Sequence, residues 1–254
     1  MKNITKYMTF ADLFQIKNKK WKIVEYIVEG MMLIYLGLIC YPNLLFAHSI
    51  KYKNFRVYST KEIDSNIYNI LDKAEINLST SSINDTAITY RLYLCNNYSL
   101  YLFFAPKSRK AFANNYSIIH NLFISNCDIR INEAYKNDEN DNYVRQLSEL
   151  IAHEATHTLT EKKLGFWKYW VLEGWKNEGY SETIGYNERL NLTTIKEFLK
   201  ENKDSNKPGV LYKKYYYAVA YLLQIERMKF EDIITTNLTL DEVLNKVETK
   251  ENEK

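Results

Sequence analysis

Residues 147–157, LSELIAHEATH, contain the pattern HExxH in His153, Glu154 and His157. The apolar residues of this stretch predict a buried helix. On a helix, residues four apart lie on one face, so both imidazoles can reach the same metal ion. Glu154 lies one position along, where a carboxylate can act as a base toward a water molecule. The chain has four histidines, and two of them fall in this motif.

The third metal ligand must come from elsewhere, because a catalytic zinc site needs three protein ligands. We predict that Glu178, on a second helix 21 residues past His157, supplies it. Glu182 lies one turn further on the same face, where it can accept a hydrogen bond from a liganding imidazole. Two acids at this spacing repel on a bare helix, which favours a cation beside them. Glu173 is the alternative third ligand.

HEATH followed by WKNEGYSE resembles the gluzincin metallopeptidases, and more narrowly the peptidase-MA-like bacterial proteins. Their second element typically reads W-x-x-E-G-x-x-E. The resemblance implies a zincin-like fold and a zinc ion bound by His153, His157 and Glu178. It further implies that Glu154 is the general base of peptide-bond hydrolysis. Glu182 matches the acid with which the family supports a liganding histidine.

Residues 212–224, YKKYYYAVAYLLQ, look like the family's helix that begins with an oxyanion-binding tyrosine. The match places this tyrosine at Tyr212, with Tyr215 and Tyr216 as alternatives and a packing role for all of them also open. The family's exopeptidase motif is not found, so the choice between endopeptidase and exopeptidase stays open. The resemblance is specific across residues 147–185 and much weaker elsewhere.

An apolar run at residues 27–47, IVEGMMLIYLGLICYPNLLFA, has about the length needed to cross a hydrocarbon core as a helix. We predict an uncleaved signal-anchor, with residues 1–26 in the cytoplasm and a catalytic domain at 48–254 outside it. A buried core helix and a cleaved signal peptide are the alternatives, although no clear cleavage site follows the run. The orientation rests on lysines before the run, and basic residues after it weaken the contrast: Lys17, Lys19, Lys20, Lys22, against Lys51, Lys53, Arg56.

The expected fold class is α+β, with a small antiparallel or mixed sheet followed by a helical half. Runs at residues 90–95, 100–104 and 118–131 are rich in Tyr, Phe, Leu and Ile, which favour strands. Helical patterns dominate after residue 143. The run 118–131 is expected as the edge strand along which such enzymes bind extended peptides.

Composition narrows the functional classes. The net charge is +3, and lysines are interspersed with acids, so no basic patch predicts nucleic-acid binding. None of the three cysteines lies in a CxxC pair, which argues against a cysteine-type zinc site. Cys95 and Cys127 are either a disulfide in an oxidising compartment or two free thiols.

The expected function is therefore zinc-dependent hydrolysis of a peptide or protein substrate at a membrane surface. The alternative is a membrane-tethered binding or assembly protein with a structural metal site. Such a site needs a fourth ligand, and His120 is the histidine outside the anchor region that can offer one. A membrane-embedded protease is disfavoured, because Glu161, Lys162 and Lys163 follow the motif and no second apolar span is present.

Overall fold

The computed structural model describes residues 19–136 and 143–250, and within them it contains ten α-helices and eight strands. The chain divides into two compact units, with the boundary between Leu45 and Phe46. The second unit contains a mixed sheet before a run of helices. The expected order of a mixed sheet and then a helical half is thereby confirmed.

The first unit consists of helix α1, Lys19–Cys40, and a 3-10 turn at Pro42–Leu45. The segment Trp21–Cys40 has a mean hydropathy of 1.9, and none of its most apolar window is buried. By length and composition it can cross a membrane. The exposure of its apolar side chains argues against the alternative of a core helix.

The bounds of this helix differ from the predicted anchor at residues 27–47. The helix begins earlier, at Lys19. It ends at Cys40, because the proline at position 42 lacks an N–H and would clash with a continuing helix. Residues 46 and 47 belong to the second unit. The first 18 residues of the predicted cytoplasmic segment lie outside the described residues.

The main sheet has five strands in the order β1-β2-β3-β5-β4. They are β1 His48–Tyr52, β2 Phe55–Ser59, β3 Tyr90–Leu94, β4 Ala113–Tyr116 and β5 Asn121–Ile124. The inner strands β2, β3 and β5 are parallel, and β1 and β4 pair antiparallel at the two edges. The side chains of β5 are all buried, as expected of an inner parallel strand covered on both faces.

The predicted edge strand at residues 118–131 is wrong. In the main sheet this segment supplies the inner strand β5; the strand β6, Asn126–Asp128, which follows, is an edge strand of a separate smaller sheet. The edge strand next to β5 is β4, which precedes it in the chain. An apolar run marks burial rather than an edge, and β4 with its sequence ANNY gives no apolar signal.

A smaller antiparallel sheet connects the first sheet to the helical half. Its strands are β6, β7 at Glu133–Tyr135 and β8 at Val144–Gln146. The chain passes from β8 directly into the helix that carries HExxH. The cysteines at positions 40, 95 and 127 are all free thiols, so the disulfide alternative is not realised.

The remaining helices are α2 Ile67–Ser79, α3 Tyr98–Phe104, α4 Leu147–Leu164, α5 Phe166–Trp170, α6 Gly174–Tyr186, α7 Leu192–Glu201, α8 Pro208–Gln224, α9 Phe230–Thr235 and α10 Leu240–Thr249. Helix α4 is central, since nearly every residue before position 161 is buried. It packs against α2, α6 and β4. It ends at Gly165, whose φ of 76° is a backbone conformation that glycine adopts at little cost.

Helix α6 lies between α4 and α8, and two glycines permit the close approach on its two sides. A Cβ at Gly179 would lie 2.6 Å from Val219 Cγ2 and closer still to the Tyr215 carbonyl oxygen on α8. A Cβ at Gly185 would lie 3.2 Å from His153 Cβ on α4. These contacts fix how near α6 comes to the HExxH helix.

Gly179→Ala will destabilise the protein by about 1–3 kcal/mol, because the added methyl group must displace the α8 backbone. The matched control is Gly174→Ala in the first turn of the same helix, where an added Cβ meets nothing within 4 Å. This control should be neutral or slightly stabilising. Urea unfolding of the detergent-solubilised chain, followed by circular dichroism, measures both. Equal stability of the two variants would contradict the packing described.

Candidate metal centre

The two motif histidines project from α4 toward one point. His153 Nε2 and His157 Nε2 are 3.2 Å apart, and the rings are nearly perpendicular at 86°. Both side chains are buried. The helical spacing of four residues produces this convergence, as the sequence predicts.

Glu178 reaches the same point from α6. Its Oε2 lies 3.5 Å from His153 Nε2 and 3.7 Å from His157 Nε2. Zinc bonds of about 2.0–2.1 Å in a tetrahedron place neighbouring ligand atoms roughly 3.3–3.4 Å apart. The three atoms therefore stand at the separations that one zinc ion requires, which makes these residues a fitting donor set.

The alternative ligand, Glu173, is occupied elsewhere. Its carboxylate accepts a hydrogen bond of 2.8 Å from Trp175 Nε1 and pairs with Lys176 Nζ at 2.7 Å. Within the described ranges, the group of ligand atoms lying within 4.8 Å of one another consists of His153, His157 and Glu178. The structure thus brings together the three residues predicted as ligands, with Glu173 not among them.

Glu182 lies behind His153. Its Oε1 is 3.5 Å from His153 Nδ1, the ring nitrogen that does not face Glu178. Arg145 of β8 donates two hydrogen bonds to the same carboxylate, at 3.1 and 2.6 Å. Both partners are buried. Arg145 thus holds Glu182 where it can orient the imidazole, although nothing in the sequence around Arg145 indicates this role.

His157 is held by two neighbours that sequence reasoning did not single out. Its Nδ1 lies 3.2 Å from Asn177 Oδ1 and 3.2 Å from Ser181 Oγ. Both belong to α6 and flank Glu178 at i−1 and i+3. The helical face that carries Glu178 and Glu182 therefore supplies the supports of both imidazoles.

The electrostatics of the cluster call for positive charge at its centre. Burial alone lowers the pKa of His153, yet Glu182 and Glu178 raise it to about 10. Burial raises the pKa of Glu178, but His157 and His153 hold it well below its usual range. Burial likewise lowers the pKa of His157, yet that pKa is raised overall, chiefly by Glu178, so that protonated imidazoles are favoured where no cation is bound. Metal binding would displace those protons, so affinity should rise with pH.

Glu154 is buried one position along from His153. Burial raises its pKa above the ordinary value, and Glu178 adds to this rise, although the two histidines oppose it. Its backbone carbonyl accepts a hydrogen bond from the Asn115 side chain of β4. Asn115 also donates to Thr158 Oγ1 at 3.1 Å. These hydrogen bonds hold helix α4 beside the edge strand β4.

A cavity of about 1560 Å³ opens onto the cluster. The three ligand residues, Glu154 and Glu182 form part of its lining. Residues 111–115, which include the start of β4, line one wall, and residues of α7 and α8 line another. The space is ample for an extended polypeptide segment beside the metal position.

Tyr212 and Tyr216 line the cavity, and Tyr215 is not part of that lining. Partial burial raises the pKa of Tyr212, and the negative charges of Glu178, Glu182 and Glu154 raise it further. The hydroxyl of Tyr212 therefore interacts electrostatically with the carboxylates of the cluster. Tyr212 is 43% exposed. Tyr169 of α5 also lines the cavity and hydrogen-bonds to Asn177, a tyrosine that sequence reasoning missed.

His120 is not a member of the ligand group in the described part of the chain. It follows a 3-10 turn in the left-handed conformation, with φ of 54°. A closed structural site would need a fourth protein ligand at this point. The group of described residues has three members, and all three line the cavity.

The chain matches no protein-family model, and no curated protein is similar to it in sequence. The resemblance to gluzincins stays a prediction carried by HEATH and WKNEGYSE. The distances among the side chains of these two motifs are independent of that resemblance, since they follow from the packing of α6 on α4.

Zinc titration of three glutamate variants tests the ligand set. Glu178→Ala should weaken zinc binding severely, because one of three ligands is lost. Glu182→Ala should cost on the order of 10- to 100-fold in affinity, as losses behind a liganding histidine usually do. Glu173→Ala is the matched control and should retain zinc. Loss of metal in Glu173→Ala, with retention in Glu178→Ala, would refute the assignment.

Proposed function

We propose that the chain is a membrane-anchored, zinc-dependent hydrolase of peptide bonds, of the gluzincin type. One observation carries the proposal. The Nε2 atoms of His153 and His157 and the Oε2 atom of Glu178 lie 3.2–3.7 Å from one another, and all three residues line the cavity. Glu154 is buried beside them in the position of a general base. A structural metal site is less well supported, because the described ligand group has three members.

The proposed fold is zincin-like. Three features support it: a mixed sheet, an antiparallel edge strand β4 beside the metal helix α4, and a following helix α6 with the third ligand. Three residues of β4, positions 113–115, line the cavity. An extended substrate is proposed to add to the free edge of β4, with main-chain hydrogen bonds giving affinity.

Zinc, when bound, supplies a Lewis acid that polarises a carbonyl and lowers the pKa of water toward neutrality. Glu154 accepts a proton from the attacking water, whose oxygen forms the new bond to the carbonyl carbon. Glu154 then passes that proton to the leaving nitrogen as the C–N bond breaks. The raised pKa of Glu154 suits it to both roles, because its carboxyl can hold the proton between the two transfers.

Tyr212 is proposed to donate a hydrogen bond to the oxyanion that forms at the carbonyl. The hydroxyl stays protonated, because burial and three nearby carboxylates raise its pKa. Tyr169 of α5 lines the same cavity and is the competing donor, although its hydroxyl already bonds to Asn177 and Ser117.

The proposed location is a membrane, crossed once by α1, with the second unit outside the cytoplasm. The length and hydropathy of Trp21–Cys40 support the crossing. The lysines that precede it in the sequence support the orientation, because cytoplasmic flanks carry an excess of Lys and Arg.

Glu154→Gln should retain zinc and lose hydrolysis of an unfolded protein substrate, because the amide cannot accept the proton. The matched control is Glu161→Gln, two turns further along α4 and outside the cavity lining, which should leave turnover unchanged. Metal analysis alongside a casein-cleavage assay measures both quantities. Unchanged turnover in Glu154→Gln, or loss of its zinc, would refute the role of general base.

Tyr212→Phe should lower kcat by about 10²–10³-fold, the usual cost of losing one oxyanion donor. Zinc content and KM should hardly change, because the hydroxyl acts in the transition state. Tyr216 lines the same cavity, so Tyr216→Phe serves as the control and should leave kcat nearly unchanged. A large loss in Tyr169→Phe, with Tyr212→Phe unchanged, would transfer the role to Tyr169.

Protease added to intact cells should degrade residues 48–254 and spare α1, since the second unit is proposed to lie outside the cytoplasm. Immunoblots against tags at the two ends of the chain follow each part. Protection of the C-terminal tag until the cells are lysed would show that the orientation is reversed.

A further inference from the structure

Helix α5 presents a cluster of large apolar side chains to solvent. Trp167 is 78% exposed, Trp170 74%, Val171 77% and Phe166 40%. The Phe166 ring contacts both tryptophans, with centroid distances of 5.1 and 5.9 Å. We name these four residues the aromatic patch. Contiguous exposed apolar groups of this size mark an interaction site in soluble domains.

Helix α5 has no buried residue, and it is attached to the second unit through Tyr169. Tyr169 hydrogen-bonds to Ser117 and to Asn177, the residue that supports His157. The aromatic patch is therefore displayed by an anchored helix, and its exposure is a property of the fold.

The composition of the chain around the aromatic patch indicates which kind of surface the patch contacts. Residues 162–172, KKLGFWKYWVL, contain three lysines and no acid. Lys162 pairs with Asp85 and Lys163 pairs with Glu231, while Lys168 lies in α5 between Trp167 and Tyr169. Glu161 and Glu173 bound the stretch on its two sides. Tryptophan and tyrosine with flanking lysine form the composition that favours a lipid headgroup interface.

The chain itself limits how far the second unit can move from a membrane. Helix α1 ends at Cys40, and the second unit begins at Phe46. The five residues between them reach at most about 18 Å when fully extended. If α1 spans a bilayer, the second unit must therefore remain at the surface of that bilayer.

We infer that the aromatic patch inserts into the lipid headgroup interface of the membrane that contains α1. This is a second membrane contact, made by the unit that carries the metal centre. The inference rests on the membrane-spanning role proposed for α1 and does not depend on zinc chemistry. Because α5 carries both the patch and Tyr169, which lines the cavity, insertion of the patch would bring that cavity toward the lipid surface.

Tryptophan fluorescence of the full chain, reconstituted into anionic vesicles, tests this contact. The chain has four tryptophans, and Trp21 is replaced by Phe to remove the one at α1. In lipid brominated near the headgroup end of its acyl chains, this Trp21→Phe variant should lose emission relative to unbrominated lipid. The matched control adds Trp167→Ala and Trp170→Ala, which leaves the buried Trp175 and should show no such loss.

Two other results would overturn the inference. Quenching of Trp167 and Trp170 by aqueous iodide, with no effect of brominated lipid, would show that the patch faces water. Protection from both quenchers would show that a protein surface, such as a second copy of this chain, covers the patch. The variant with Trp167→Ala and Trp170→Ala but intact Trp21 reports on α1 alone. Its quenching by lipid would uphold the anchor even where the patch contact fails.

Discussion

The close packing of α6 between α4 and α8 is the constraint on which the candidate metal centre depends. Gly179 and Gly185 remove the side chains that would hold these helices apart. At the resulting distance, Glu178 meets the two histidines and Glu182 meets His153. Arg145 and Glu182 form a buried ion pair beside this contact. Removing one partner of such a pair lowers the free energy of unfolding by about 3–5 kcal/mol, because the other charge is left buried without a partner.

Much of the site could be predicted from sequence because it is encoded by helical spacing. His153 and His157 share a face of α4 by their separation of four, and Glu178 and Glu182 share a face of α6 for the same reason. The structure brings these four side chains together. Arg145, Asn115 and Tyr169 escaped prediction because their roles arise from contacts between elements distant in the chain, which leave no local pattern.

The sheet was predictable in class but not in order. Apolar runs identified β3 and β5 correctly as strand-forming, and both are inner strands of the sheet. The third run, residues 100–104, was predicted as a strand but lies in helix α3, because a short apolar run has the same composition in a strand and in a helix that packs on the core. The true edge, β4, is polar and contains two asparagines. Helix α1 shows a similar limit, because the apolar composition indicated a long helix in this region while the proline at position 42 decided where that helix ends.

The most direct test of the account is zinc X-ray absorption spectroscopy of the purified, zinc-loaded chain. The account predicts scattering from two imidazoles and from carboxylate and water oxygens at about 2.0–2.1 Å, in a four-coordinate site. A sulfur shell near about 2.3 Å, or a third imidazole in place of oxygen, would contradict it, since the ligands could not then be His153, His157 and Glu178 with an open position.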